Sequence, residues 1–362
     1  MNLLKLDSFH RSKNAKFAEF AGWNMPVSYS SAIEEHMFVR QKVGFFDVSH
    51  MGEFIIKGPD AEKFLNYVLT CDVQRLSSGC AMYSLLCNDN GGVIDDLIVY
   101  KLSEQEFFLC VNAINIKRDF NHLNNLKGSF NCCVIDKSHE YGLLAIQGSQ
   151  SQALLQEFLE TNLDSLKKMQ FKKYEFLQCE LLVARSGYTG EDGFELFIPF
   201  ECLFEIASKL DDYCKSGLAK WVGLAARNTL RLEAGFCLHG HEITEEISPL
   251  EAGILWAVSM KKSDFVGKDA INNQIKVNKH GKVFHYKVNS RRIPRDNAEI
   301  FFQSQKAGKV LSGAFSPILE CPFGTAYVDN SFINKTEEAG WTAVVRDNFL
   351  PLEFCKPVLK NM

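Results

Sequence analysis

The residue type and setting that stand out first are those of Glu195, an acid in the middle of an apolar strand. It lies in GYTGEDGFELFIP, Gly187 to Pro199, with Phe194 before it and Leu196 after it. Glycines at 187, 190 and 193 separate two apolar runs, Glu180 to Arg185 (ELLVAR) and Phe194 to Ile198 (FELFI). The pattern predicts two paired strands, with the glycines supplying the positive φ angles of a tight connection. A carboxylate set among such neighbours costs several kcal/mol unless a donor meets it. Its plain alternative is a solvent-facing strand residue, since alternation places Glu195 and Phe197 on one face.

A second acidic pair sits in CNDNGGVIDDLIVYKL, Cys87 to Leu102. Asn90-Gly91 and Gly92 signal a turn, and Val93 to Tyr100 reads as a strand carrying Asp95 and Asp96. Adjacent strand residues point to opposite faces. Asp95 then shares a face with Val93, Leu97 and Val99, and Asp96 shares one with Ile94, Ile98 and Tyr100. Both faces are apolar, so the strand is predicted to be buried and its acids to have partners. An aspartate bonded to the backbone of the preceding turn fits equally well. The third stretch, WVGLAARNTLRLEAGFCLHGHE, predicts a helix over Leu224 to Ala234 that ends at Gly235. Arg227 and Arg231 are four apart and share a helix face. Such a pair can clamp an acidic ligand or bridge to acids on a neighbouring element.

The elements that must position these residues alternate between strand and helix with short connections. HEYGLLAIQGSQSQALLQEFLE (residues 139–160) reads as strand, turn and helix, and Pro59-Asp60 opens another helix. This argues for an α+β fold rather than a doubly wound sheet. A polar stretch with Gly281, residues 271–283, reads as a domain boundary. Beyond it, short strands with Gly and Pro punctuation suit a small barrel or sandwich.

Taken together the sequence resembles the aminomethyltransferases of the glycine cleavage system, the T-protein family. The resemblance rests on nine ordered blocks that cover nearly the whole chain. They are FAGWNMPVSY, GFFDVSHMGEF, YSLLCNDNGGVIDDLIVY, VNAINIKRD, RSGYTGEDGFE, GLAARNTLRLEAG, SPLEAGILWAV, FVGKDA and GKVLSGAFSPIL. The resemblance implies the three-domain aminomethyltransferase folate-binding fold. Two interleaved domains would occupy residues 1–270, and a C-terminal β-barrel domain residues 280–362. It also implies the reaction: a lipoylated H-protein delivers an aminomethyl group, and tetrahydrofolate accepts the one-carbon unit as substrate. Ammonia leaves and 5,10-methylenetetrahydrofolate forms.

By the same resemblance Asp96, the second acid of GGVIDD, matches the catalytic aspartate, and Glu195 the carboxylate that reads the pterin. Two carboxylate oxygens can accept from the pterin 2-amino group and N3–H as a pair. Arg227 matches a ligand-binding arginine, with Tyr83, Asn112 and Tyr188 lining the pocket and Met51 covering the ring. Arg231 and Glu233 read as structural, as does His50. Two stretches depart from the family pattern. VFHYKVNSRRIPRDNAEIF is more polar than the usual opening of the last domain, and FLPLEFCKPVLKNM lacks an arginine or tyrosine near its end. The alternative reading is another tetrahydrofolate-dependent demethylase or one-carbon transferase on the same scaffold; GGVIDD with RNTLRLEAG favours the glycine-cleavage enzyme. The folate-binding protein of iron–sulfur assembly carries a K-G-C-Y-x-G-Q-E signature, whose cysteine falls at Gly187 here.

Composition narrows the remaining classes. With 46% hydrophobic and 23% charged residues, the 362-residue chain has the make-up of a globular enzyme. A net charge of -4 gives no electrostatic basis for nucleic-acid binding, and no apolar run reaches membrane-spanning length. The N-terminal residues lack a signal peptide's apolar core and begin almost directly on the matched sequence, so a cytoplasmic location is expected. The twelve cysteines include no C-x-x-C and are expected to be mostly reduced and buried. His239-Gly240-His241 has no convincing third ligand, so no metal is expected. The absence of G-x-G-x-x-G and of a P-loop argues against a nucleotide cofactor.

Overall fold

The computed structural model describes residues 1–360, so the last two residues of the atypical C-terminal tail lie outside the described residues. Helices and strands are mixed, and a closed six-stranded barrel forms the C-terminal region. The chain divides into two compact units. The first contains Met1–Val68, Asp72–Ser84 and Leu97–Arg227; the second contains Leu69–Cys71, Leu85–Asp96 and the chain from Asn228 onward.

The glycine-rich connection of the first unit joins Cys179–Ala184 to Gly193–Pro199, as the apolar runs predict. These strands belong to a six-stranded sheet in which Gly193–Pro199 also pairs with Tyr141–Gln147. Alternation along Gly193–Pro199 decides what each side chain meets. Phe194, Leu196 and Ile198 are buried in a core completed by Leu154 and Leu155 of helix Ser151–Phe158 and by Leu203 and Ile206 of helix Phe200–Lys215. Phe197, on the other face, is fully buried edge-on against Phe108 at 4.9 Å and Tyr100 at 5.5 Å. Those two rings belong to a five-stranded sheet that includes Val93–Ser103, Glu106–Val111 and Gly52–Lys57. Removing such a ring costs about 3–5 kcal/mol, so this contact holds the two sheets face to face. The face that carries Glu195 is therefore an interior one.

The second unit holds the barrel, with strands in the order Lys282–Val288, Cys321–Val328, Gln305–Ser316, Glu299–Phe302, Trp341–Val345 and Asn348–Cys355. Tyr286, Ile300, Val310, Ala326, Trp341 and Leu352 fill its core. The turn before the aspartate pair packs within this unit. Val93 N–H donates to Thr244 O at 2.8 Å, and a Cβ on Gly92 would lie 1.7 Å from Glu245 O. The polar stretch read as a boundary is partly helical: Lys268–Val277 forms a helix capped by Asn278 in the left-handed region (φ 49°). Its polarity reflects a helix that buries only Ile271.

Cys179 and Cys202 are joined as a disulfide, with Cα atoms 6.6 Å apart, while the other cysteines are thiols. Among the described residues no helix is long and apolar enough to cross a membrane.

Candidate functional site

The loop that presents Glu195 is shaped by Gln147. The Gln147 amide donates to Ser186 O at 3.0 Å, and its carbonyl accepts from Thr189 Oγ1 at 3.0 Å. A Cβ on Gly187 would lie 1.9 Å from this side chain, and one on Gly193 would lie 2.3 Å from it. Only Gly190 of the three glycines has positive φ, at 83°. The expectation that all three serve the turn's backbone is therefore corrected: two of them make room for a buried amide. Arg185 clamps Asp192 through Nε at 3.0 Å and Nη2 at 2.6 Å, and Arg40 Nη1 reaches Thr189 O at 2.6 Å and Glu191 at 2.9 Å. The loop is thus fixed from three sides, and Glu195 follows it in a rigid strand.

Glu195 is half-buried and accepts a hydrogen bond from the Ser186 hydroxyl. Arg227 enters on the first turn of helix Leu224–Ala234, whose start is anchored where Gly223 N–H donates to Glu35 at 2.8 Å. Glu35 also accepts from the N–H groups of Tyr29 and Ser30, at 2.6 and 2.7 Å. The Arg227 guanidinium lies 4.7 Å from the centre of the Tyr188 ring. Burial pulls its pKa below the ordinary arginine range, and the nearby Tyr188 and Glu195 oppose that. Its Nη1 is buried with no hydrogen-bond partner among the described residues. A donor in that position fits a carbonyl or carboxylate oxygen of a ligand.

Further groups converge here that the sequence reading did not place in the site. Tyr100, opposite Phe108 in register, lies beside Ser186; its phenol is pushed well above the usual range by burial and by the charge of Glu195, with Cys110 and Glu53 adding to it. His50, read as structural, is buried close to Arg227, and burial with that charge lowers its pKa to about 3, against the pull of Asp47. An acid in an apolar strand was the signal that singled out Glu195. The same signal is present at Glu53, in GEFIIK.

The first unit thus brings Glu195, Arg227 and Tyr188 together. All seven candidate residues, Met51, Tyr83, Asp96, Asn112, Tyr188, Glu195 and Arg227, are half-buried. In the five-stranded sheet, register pairs Glu53 with Cys110 and Gly52 with Val111, and Met51 and Asn112 continue those strands by one residue. Asp96 belongs to the second unit, with its neighbour Asp95 fully buried. Arg231 does not join Arg227 as a clamp. It is buried in the second unit, where it donates to Glu242 and Ser312, each at 2.8 Å. Glu233 accepts from Ser316 Oγ at 2.6 Å. His241 Nδ1 lies 2.8 Å from Leu311 O, and no group of three metal-ligating side chains occurs among the described residues.

The chain matches the GCVT N-terminal domain over residues 6–262 and the glycine cleavage T-protein C-terminal barrel domain over residues 282–359. It is 41% identical over 334 residues to an aminomethyltransferase of Thermoanaerobacter sp. (strain X514), covering 91% of each chain. It is 39% identical over 363 aligned positions to an aminomethyltransferase of Halothermothrix orenii, covering 98% of this chain and 99% of that one. The crystal structure of the glycine cleavage system aminomethyltransferase T from Bartonella henselae superposes with a TM-score of 0.91 at 35% identity, over 99% of this chain and 97% of that one.

Proposed function

Because the chain belongs to the glycine cleavage T-protein family of aminomethyltransferases, we propose that it moves the one-carbon unit of an aminomethyl-lipoyl H-protein onto tetrahydrofolate. The carbon exchanges its bonds to sulfur and to the amine for bonds to N5 and N10 of the folate. The two N–H protons released leave with the lipoyl thiol and with ammonia, so the transfer needs no oxidant or reductant. A cytoplasmic location and a lipoylated partner belong to the same reading, as does a division into a folate-binding region over 1–270 and a barrel domain over 280–362.

The observation that carries the reading is the grouping of Glu195 with Arg227, whose Nη1 lacks a partner among the described residues. One oxygen of Glu195 is steadied by Ser186, leaving the carboxylate able to accept from the pterin 2-amino group and N3–H. Arg227 supplies a buried donor to an oxygen of the folate, and the centre of the Tyr188 ring lies 4.7 Å from its guanidinium. Met51, Tyr83 and Asn112 are assigned to the pocket wall. Asp96 is assigned the catalytic role of positioning the folate amines and stabilising positive charge at the transferred carbon.

The test mixes purified protein with aminomethyl-loaded H-protein and tetrahydrofolate, then follows ammonia and methylenetetrahydrofolate together. Equal production of both is expected. Asp96→Ala should nearly abolish turnover while folate still binds. Folate binding by the wild type with neither product formed would overturn the assigned donor, and full turnover by Asp96→Ala would remove that residue from the mechanism.

A further inference from the structure

Gln147 is the only glutamine among the described residues that is buried. It closes strand Tyr141–Gln147, directly opposite Gly193, on the strand whose Ala145 is opposite Glu195. Opposed residues of an antiparallel pair carry their side chains on one face, so the amide occupies the space that Gly193 leaves empty. Its Nε2 donates to Ser186 O at 3.0 Å and to Phe194 O at 3.4 Å, and its Oε1 accepts from Thr189 Oγ1 at 3.0 Å. Both amide hydrogens and the carbonyl are engaged within the protein, so the side chain acts through its partners rather than by meeting a ligand. A buried amide is costly unless bonded in this way, and a satisfied one holds its partners rigidly.

Those partners are the residues that present the site. Ser186 is held at its carbonyl by Gln147 and uses its hydroxyl to hold Glu195. Thr189 is held at its hydroxyl by Gln147 and at its carbonyl by Arg40, at 2.6 Å. Between them, Tyr188 brings its ring centre to 4.7 Å from the Arg227 guanidinium. Gly187 passes so close that a Cβ would lie 1.9 Å from Gln147 Oε1. The stretch from Ser186 to Thr189 therefore wraps around one amide, and all of these residues belong to the first unit. The carboxylate on one side and the Tyr188–Arg227 contact on the other are spaced by a single side chain.

We propose that Gln147 is a positioning residue of the folate site: its buried amide, bonded to Ser186 and to Thr189, sets the separation between the Glu195 carboxylate and the Tyr188–Arg227 pair before the ligand arrives. One arm runs from the amide nitrogen through Ser186 to Glu195, and the other from the amide carbonyl through Thr189 to Tyr188. A site ordered in advance gives up little freedom on binding, which raises affinity without adding a contact. Loosening the amide therefore costs folate affinity even though Glu195, Tyr188 and Arg227 are all still present. The inference rests on the folate reading above and adds to it the residue that fixes the geometry of the site.

Two sets of variants separate this role from a merely structural one. Affinity for tetrahydrofolate is measured by anaerobic calorimetry on the full chain, with thermal unfolding of each variant alongside. Gln147→Met fills nearly the same space and makes none of the three bonds. It should bind tetrahydrofolate about ten-fold more weakly than wild type, the size of one lost buried hydrogen bond. In a Glu195→Ala background the same change should cost no more than about three-fold, because Ser186 then has no carboxylate to hold. Wild-type affinity in Gln147→Met would overturn the inference, and so would a full ten-fold loss in both backgrounds. The second set uses the glycine opposite. Gly193→Ala puts a methyl 2.3 Å from the Gln147 amide and should lower thermal stability. Adding Gln147→Ala makes room for that methyl, so stability should recover while folate affinity stays about ten-fold low. Affinity recovering together with stability would overturn the inference, since packing alone would then suffice. A wild type that does not bind tetrahydrofolate would overturn the folate reading itself, an outcome distinct from a binding wild type with an indifferent Gln147→Met.

Discussion

Two buried polar networks, one in each unit, use the same residue types to opposite ends. In the second unit Glu242 accepts from Arg231 Nη1 at 2.8 Å, from Leu238 N–H at 2.9 Å and from the Thr325 hydroxyl. Arg231 in turn meets Phe236 O at 3.1 Å and Ser312 at 2.8 Å. Burial works against the charge of Glu242, yet Arg231 and these donors hold its pKa down to about 2. In the first unit, burial wins instead: the Glu53 carboxyl is driven up, His50 falls to about 3, and Arg227 falls below its usual range. The two sites differ in partner count rather than in burial. A network that closes on itself stabilises the fold, while one that leaves donors and acceptors unmet is shaped for a ligand.

The largest expected effect breaks the closed network. Arg231→Met leaves Glu242 buried without its cation, and loss of one member of such a pair costs about 3–5 kcal/mol. Pairing it with Glu242→Leu should recover much of that loss, because a matched apolar pair removes both desolvation penalties. Chemical denaturation of the single and double variants measures this. If the single variant is no less stable than wild type, the comparison fails at its firmest point.

A smaller effect should follow from opening the other network further. Glu195→Ala removes the acceptor of Ser186 and the carboxylate assigned to the pterin, and should weaken tetrahydrofolate binding by about 1–3 kcal/mol. Stability should change less than for Arg231→Met, since Glu195 is only half-buried. Unchanged folate affinity, measured by calorimetry, would return Glu195 to a purely structural role.

How much of this was legible in the sequence depended on the range of the interaction. The hairpin partners on either side of the glycine run, the helix Leu224–Ala234 and its glycine stop are all local, and periodicity with turn residues predicted them. The anomaly of Glu195 was also local, because one acid among apolar neighbours is visible in a single strand. Gln147 was not: it is forty residues from Gly187, and nothing near it in sequence says that its amide will need two glycines to make room. For the same reason Arg227 and Arg231, equivalent on a helical wheel, could not be told apart until Glu242 and Ser312 appeared beside one of them. The helix Lys268–Val277 was hidden by composition, since a helix that buries one side chain reads as a polar linker.

The smallest expected effect uses acid to separate the two networks. His50 has a folded pKa of about 3, below the ordinary value of 6.5. A depressed folded value contributes stability in full above 6.5, and that contribution is lost as pH falls from 6.5 toward 3, because the unfolded chain takes up the proton first. The loss cannot exceed about 1.4 kcal/mol per pH unit, so about 1 kcal/mol is expected by pH 5.5. Glu242, lowered from 4.5 to about 2, keeps its contribution in full above 4.5. Between pH 7.5 and 5.5, then, the His50 contribution should weaken the first unit while the Glu242 contribution to the second stays constant. Amide exchange read separately in each unit checks this. The decisive comparison is of slopes: His50→Gln should flatten the pH dependence of the first unit whatever it does to stability at pH 7.5. An unaltered slope would assign the acid sensitivity to another group and leave His50 as packing beside Arg227.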